Sequence, residues 1–238
     1  MNNHRLRLST VPKSTFRQHI VEELRGAILN GDLAPGTALV EASLAEQFSV
    51  SRGPLREATR QLIEEGLLVT VPYTGTYVTR LSVEDVREIY SLRIALETFA
   101  FEQVWEKRDE VFRRELLRRN AVLTAAIDAG DDRKSILAEL ELHGFVYEST
   151  CHRMLQRTWA GLRGRLQLYW AAHHRAHRMR GPRRDSHDGY VAKALGADWE
   201  AMRAEIGAHM LRGAGQTERF LSEVAGSTSP TREEKVHG

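Results

Sequence analysis

Only one cysteine, Cys151, occurs in the 238 residues, so no disulfide can close within the chain. That scarcity fits a protein kept in a reducing cytoplasm. Cys151 reads as a small buried residue. Long apolar runs are also missing, since none approaches the ~20 residues that a bilayer span requires. Met1 to Pro12 is polar and basic without an apolar core, which excludes a secretory signal and suggests a disordered arm. An excess of one charge sign is lacking as well, the net charge being +2. Residues 1 to 80 hold nine Lys/Arg against eight Asp/Glu. A polyphosphate partner must therefore meet a local patch and not a global field.

What is present is ordinary for a soluble globular protein: 42% hydrophobic and 28% charged residues, in a chain long enough for one large or two smaller domains. Nearly all the positive charge is arginine, which suits planar bidentate contacts better than lysine does. Phe16, Ile20, Leu24, Ala27 and Ile28 repeat at helical spacing and predict a first helix over about 14–29. Asn30-Gly31 ends it, and Leu33-Ala-Pro-Gly36 is a turn. A second helix starts near 41–43, with Ser43 as N-cap and Glu46 completing a capping box. A third begins after Ser51, another N-cap, carries Pro54 in its first turn and stops at Gly66. Leu67–Val71 and Thr76–Thr79 flank Pro72-Tyr-Thr-Gly75 and predict a two-stranded hairpin.

From Ser82 to about Glu223 the pattern is helical, with helices expected near 83–106, 110–129, 132–151, 154–179, 185–196 and 198–222. Ser82 and Asp198 read as N-caps. The expected organisation is a disordered arm over 1–12, a winged helix-turn-helix over 13–80, an all-helical bundle of six to seven antiparallel helices over 81–223, and a disordered tail over 224–238. The fold class is mainly α.

Arg52, Arg56 and Arg60 are spaced i, i+4, i+8 and line one side of the third helix, while Leu55, Ala58, Thr59 and Leu62 supply its buried side. Arginine at such a helix end can bond guanine or phosphate, and the helix dipole favours phosphate. Ser51 and the backbone at Gly53 are placed to reach phosphate oxygens. Gly75 lets the hairpin backbone approach a minor groove. The alternative is a solvated charged face in which Glu57, Glu64 and Glu65 pair with these arginines. Turn, cap, arginine stripe and hairpin in that order favour double-stranded DNA binding.

Asp32-Leu-Ala-Pro-Gly-Thr, Leu44-Ala-Glu, Val50-Ser-Arg-Gly-Pro-Leu-Arg-Glu-Ala, Glu65-Gly-Leu-Leu and Gly75-Thr-Tyr-Val together resemble the winged helix of GntR-family bacterial transcription regulators. The resemblance implies that Arg52 and Arg56 contact operator bases and phosphates, and that Gly75 lies in the minor groove. Ala42 departs from the pattern, standing where the fatty-acid-responsive member has a further DNA-contacting arginine.

In the helical region Glu139 and His143 are four apart and project from one face of a helix that is apolar on nearly all sides. His187 shares a face with Val191 and Ala194, and His209 one with Met202 and Ile206. All three imidazoles thus point inward, where an unpaired polar group is costly. A carboxylate and three imidazoles suit a divalent first-row metal. Hydrogen-bonded core histidines are the alternative. Trp105, Trp159, Trp170 and Trp199 read as core or interface residues.

Residues 83 to 222 resemble the ligand-binding domain of the FadR/FCD subfamily, whose run is Asp-x3-His, a later His, an Asp eleven residues on, and a last His eleven beyond that. Glu139, His143, His187, Asp198 and His209 reproduce each spacing, with Glu139 in place of Asp. The resemblance implies that Glu139, His143, His187 and His209 bind zinc or nickel, and that the metal holds a small carboxylate effector. Asp198 reads as an N-cap and not a ligand. Arg93 lies in an inward stripe with Val86, Ile89 and Ala100; it either pairs with Glu97 at i+4 or, as the resemblance implies, clamps the effector carboxylate. His152 stands where the subfamily usually has Asn and is a second effector-site candidate. The basic segment 173–184 reads as a solvated helix end and loop.

The expectation is a cytoplasmic, metabolite-responsive regulator, a repressor, that binds a palindromic operator as a homodimer and answers to a small organic acid. A metal-dependent enzyme is one competitor, although no separate general base is apparent. A DNA-binding protein with a helical domain serving only as a dimerisation scaffold is the other.

Overall fold

The computed structural model describes residues 13–80, 82–177 and 183–227, with side chains described over 16–80, 82–172 and 183–222. The expected arm over 1–12, the end of the tail over 228–238 and most of the basic segment lie outside the described residues. The chain divides into two compact units, Met1–Thr79 and Arg80–Gly238.

In the first unit, α1 (Lys13–Asn30), α2 (Glu41–Gln47) and α3 (Arg52–Glu64) pack beside a small sheet. Ile20, Leu24 and Ile28 of α1 meet Leu55, Ala58 and Leu62 of α3 in the core, each nearly or wholly buried. Phe16 departs from the predicted stripe and is half exposed. Ala34-Pro35-Gly36-Thr37 closes with Thr37 N donating to Ala34 O at 3.0 Å, and Gly36 takes φ 83°. Proline and then a left-handed glycine is the pattern of a type II turn. The cap expected at Ser43 is displaced, because α2 starts at Glu41 after Val40 and has no side-chain cap.

α3 stops as predicted at Gly66. Gly66 N donates to Ile63 O, Leu67 N donates to Leu62 O, and Gly66 sits at φ 75°. This is a Schellman ending, sealed by contact between buried Leu62 and Leu67. β2 (Leu68–Val71) and β3 (Gly75–Val78) form the expected antiparallel hairpin. β1 (Ala38–Leu39) joins the far side of β3, so the sheet has three strands in the order β1-β3-β2 and not two. Two residues are too short a signal to be read as a strand from periodicity.

The second unit holds α4 (Val83–Val104), a 3-10 turn over Trp105–Lys107, α5 (Glu110–Asp128), α6 (Asp132–Ser149), α7 (Arg153–His177), α8 (Asp188–Leu195) and α9 (Trp199–Ser227). Helix α9 thus continues past the expected start of the tail at 224. Aspartate and serine caps begin the helices: Ser82 Oγ accepts from Asp85 N, Asp109 from Phe112 N, Asp131 from Lys134 N and Asp198 from Ala201 N. Asp198 is therefore a cap, as expected.

α6 is the central helix: Leu140, Leu142, Val146 and Tyr147 are buried on its successive faces. α7 lies so close that a Cβ on Gly144 would stand 3.1 Å from Trp159 Nε1. Trp159 is buried, and Trp105, Trp170 and Trp199 pack against the same core. Cys151, expected inside, is exposed. It takes φ 54° in the turn between α6 and α7, where the chain leaves the helix and the side chain points away from the core. No described helix is long and apolar enough to cross a membrane.

Candidate functional site

Two sets of side chains carry chemistry, one in each unit. On α3, Arg52, Arg56 and Arg60 are exposed, opposite buried Leu55, Ala58, Thr59 and Leu62. Among the described residues only Arg56 of the three has an ion pair, with Glu41 at 3.0 Å, and both partners are exposed. Such a pair holds a side chain by no more than ~1 kcal/mol. The acids weighed as internal partners do not engage the stripe. Glu65 is instead taken bidentately by Arg25, with Arg25 Nη2 at 2.7 Å from Oε1 and Nε at 3.0 Å from Oε2.

Ser51 occupies the N-cap position of α3, yet its hydroxyl makes no capping bond, and it is exposed beside exposed Gly53. Helix start, hydroxyl and guanidinium stripe therefore present donors to solvent on one surface. In the hairpin, Gly75 is exposed and sits at φ 134°, which side chains rarely tolerate. Tyr73 at the tip is fully exposed.

In the second unit, Glu139, His143, His187 and His209 come together, each offering a ligand atom within 4.8 Å of the others. The elements that bring them are separate: α6 supplies Glu139 and His143, the residue before α8 supplies His187, and α9 supplies His209. His187 is the N-cap residue of α8 and not part of the helix as expected. His143 Nε2 lies 3.3 Å from His187 Nε2 and 3.2 Å from His209 Nε2. Glu139 Oε1 lies 3.4 Å from His187 Nε2. Three ring nitrogens facing one another cannot all be satisfied by hydrogen bonds within the trio, whereas a cation between them meets every lone pair.

Burial, and then the nearby Arg93 and His187, hold His143 well below the ordinary imidazole pKa. Burial, then His143 and His187, lower His209 likewise. Both rings are thus neutral near pH 7, the form that ligates metals. His209 Nδ1 is buried without a hydrogen-bond partner. The donor set, one carboxylate and three converging imidazole Nε2 atoms, fits a divalent ion.

Beside the cluster, Arg93 is almost wholly buried at 1% exposure. Its Nε is 3.5 Å from Glu97 Oε2, yet Nε and Nη2 have no hydrogen-bond partner. The rings of Tyr90, Trp159 and Trp170 surround the guanidinium with centroids at 6.0, 5.5 and 5.9 Å. Burial opposes the Arg93 charge, but Glu97, the tyrosines and Glu139 together outweigh it and raise the pKa. Both readings of Arg93 thus have a basis: it faces Glu97, and it keeps donor capacity for an anion.

A cavity of about 400 Å³ opens onto the cluster, lined by Glu139, His187 and His209 with Glu205, Arg212 and Gln216 among others. Arg212 pairs with Glu205 at 2.7 Å. His152 is not brought to this site. It is exposed, it accepts from Leu155 N at the start of α7, and its ring meets Phe99 edge-on. The capping role explains the substitution locally, since Asn and His both offer an acceptor at that position.

Sequence reasoning missed Glu97 as more than a partner for Arg93. It is wholly buried, its Oε1 lies 2.9 Å from His143 Nδ1, and the same oxygen accepts from Tyr190 Oη at 2.6 Å. Its i+4 spacing from Arg93 on an inward stripe was the available signal.

Comparison with known proteins follows this division. Residues 16–78 match the family of bacterial regulatory proteins, gntR family, and residues 88–212 match the FCD domain. The chain is 44% identical over 88 residues to the HTH-type transcriptional regulator YdhC of Bacillus subtilis, 37% of this chain and 39% of that protein. It is 29% identical over 151 residues to the gluconate operon transcriptional repressor of the same species, 63% of this chain and 62% of that one. The matched stretches thus span less than two thirds of these relatives. Among solved structures, E. coli McbR/YncC shares the fold at TM-score 0.69 and 21% identity, covering 86% of this chain and 97% of that one. A GntR family member from Pseudomonas syringae aligns at TM-score 0.53 and 27% identity over 92% of each chain. These relatives are named as transcriptional regulators and not as enzymes. With both of its units accounted for, the chain belongs to the GntR family of bacterial regulatory proteins, in the group whose second domain is an FCD domain.

Proposed function

We propose that this chain is a metabolite-responsive transcription repressor that binds a palindromic operator as a homodimer. The carrying observation is the exposed Arg52–Arg56–Arg60 stripe at the start of a helix whose other side is core. A helix start bearing three solvent-facing guanidinium groups, flanked by Ser51, Gly53 and the Gly75 hairpin, has the form that enters a major groove while the wing meets the backbone or minor groove. Twofold operator symmetry then mirrors two copies of the protein. The name of the Bacillus subtilis gluconate repressor supports the sign of regulation.

The effector is a small organic acid, of which a sugar acid is one class, held at a divalent metal, zinc or nickel. Glu139, His143, His187 and His209 would hold the ion, and Arg93 would take a carboxylate oxygen through its unpartnered N–H groups. The ion, when bound, supplies an electrophilic centre for that carboxylate. The chain's own residues do the rest: the buried imidazoles supply the nitrogen lone pairs, and Glu205, Arg212 and Gln216 line the approach. For release of DNA the acid must bind the operator-free form more tightly, by ~1–3 kcal/mol for a coupling of ordinary size.

Selection from a randomised duplex library should return an inverted repeat. With that duplex, Arg52→Ala should weaken binding by about 1–3 kcal/mol in a gel-shift titration, as the loss of one bidentate contact. Unchanged affinity removes Arg52 from the interface. Adding a panel of carboxylates to the complex, with and without a chelator, tests the effector. A metal-dependent release by one acid supports the reading, and indifference to all acids and to metal leaves the helical unit a scaffold.

A further inference from the structure

We infer that Glu97 is the positioning residue of the metal centre: its carboxylate sets the tautomer and ring orientation of His143, so that an unprotonated Nε2 faces the ion. The inference rests on the metal reading above. It begins from the three imidazoles, which differ in what holds their far nitrogens. Ser186 Oγ, at 3.0 Å from His187 Nδ1, already donates its own proton to Arg183 O at 2.6 Å and so meets the ring as a neutral acceptor. His209 Nδ1 has no partner. His143 Nδ1 alone faces a carboxylate, Glu97 Oε1 at 2.9 Å.

A carboxylate oxygen accepts, so the proton of a neutral His143 sits on Nδ1, and Nε2 carries the lone pair. That Nε2 is the atom nearest both other ligand nitrogens, at 3.3 and 3.2 Å. Glu97 thereby dictates the tautomer of the ring at the middle of the cluster, and among the described residues it is the one carboxylate that faces the far nitrogen of any of the three rings. Carboxylates behind a ligating histidine orient the ring and raise its basicity.

Glu97 is itself held from several directions. Tyr190 Oη of α8 donates to Oε1 at 2.6 Å, and Tyr147 Oη of α6 donates to Oε2 at 3.4 Å. Arg93, one turn earlier on α4, faces Oε2 at 3.5 Å. Helix α4 supplies no ligand, yet through Glu97 it aims a ligand on α6. The carboxylate also joins two functions: one oxygen serves the histidine, and the other faces the guanidinium proposed to grip the effector.

The test uses the full chain, zinc titrated against a chromophoric chelator, and cobalt as a spectroscopic probe. Glu97→Gln offers an amide that can turn its NH2 toward Nδ1, which moves the His143 proton to Nε2 and blocks ligation. Glu97→Asp keeps the charge opposite Arg93 but falls short of Nδ1 by one methylene. Both variants should bind zinc ~10–100-fold more weakly. Their cobalt bands should shift, and circular dichroism of the metal-free proteins should keep the wild-type helical content. Tyr190→Phe, which removes one donor to the same oxygen, should lose less. Imidazole nitrogen shifts in the metal-free wild-type protein should show His143 as the Nδ1–H tautomer.

Wild-type zinc affinity in both variants, or an Nε2–H tautomer in the wild type, overturns the role of Glu97. A wild-type protein that takes up neither zinc nor cobalt overturns the metal reading instead, so the two failures are told apart.

Discussion

At the scale of single residues, a side chain's outcome follows from what surrounds it in space more than from its type. Leu62 is wholly buried where α3 meets α1 and seals the Schellman ending with Leu67. Leu62→Ala should cost the first unit about 2–5 kcal/mol, read as a lowered midpoint in urea denaturation. That residue was legible in the sequence, as were Glu139, His143 and His209, because inward-facing positions repeat with the helical period; His187 lies just ahead of its helix and was found through the spacing of the family pattern. His152 and Cys151 were not legible. Each sits at the junction of α6 and α7, where the period breaks and local backbone geometry decides which way a side chain points. Glu97 was half legible. Its spacing gave the partner on its own helix, but Tyr190 and His143 lie 93 and 46 residues away in the chain, and nothing in a linear pattern links them.

At the scale of elements, helix starts were legible where an acid or serine precedes an apolar stripe. Asp109 and Asp131 each accept the backbone N–H three residues on, and so satisfy one of the donors a helix start leaves open. Asp109→Ala and Asp131→Ala should each cost about 0.5–2 kcal/mol, seen as a lowered thermal midpoint of the full chain. Ser43 shows the limit of that rule. Its motif is intact in sequence, but Val40, directly after β1, takes the N-cap position and α2 begins two residues ahead of Ser43. The third strand, β1, was hidden for the same reason: its pairing with Thr76 and Tyr77 belongs to tertiary structure and not to local preference.

At the scale of the whole chain, the two units carry different kinds of evidence for one function. The first unit is read by its surface, where guanidinium groups face outward. The second is read by its interior, where polar groups collect that a simple scaffold would not bury. If an ion occupies that interior, its removal should destabilise the second unit. With free zinc at 100 times its dissociation constant the loss on chelation is ~2.7 kcal/mol, visible as a lower melting temperature that zinc restores. Helix α8 gives this a local meaning. It has only eight residues, too few to persist alone in water. Its far end is gripped by Arg113, which donates to Leu195 O at 2.8 Å, and by Arg108, which donates to Ala194 O and Gly196 O. Its near end carries His187, and Tyr190 ties its first turn to Glu97. Stripping the cation would loosen the near end at His187, so deuterium uptake by the amides of Val191 and Ala192 becomes a gauge of occupancy that needs no knowledge of the effector.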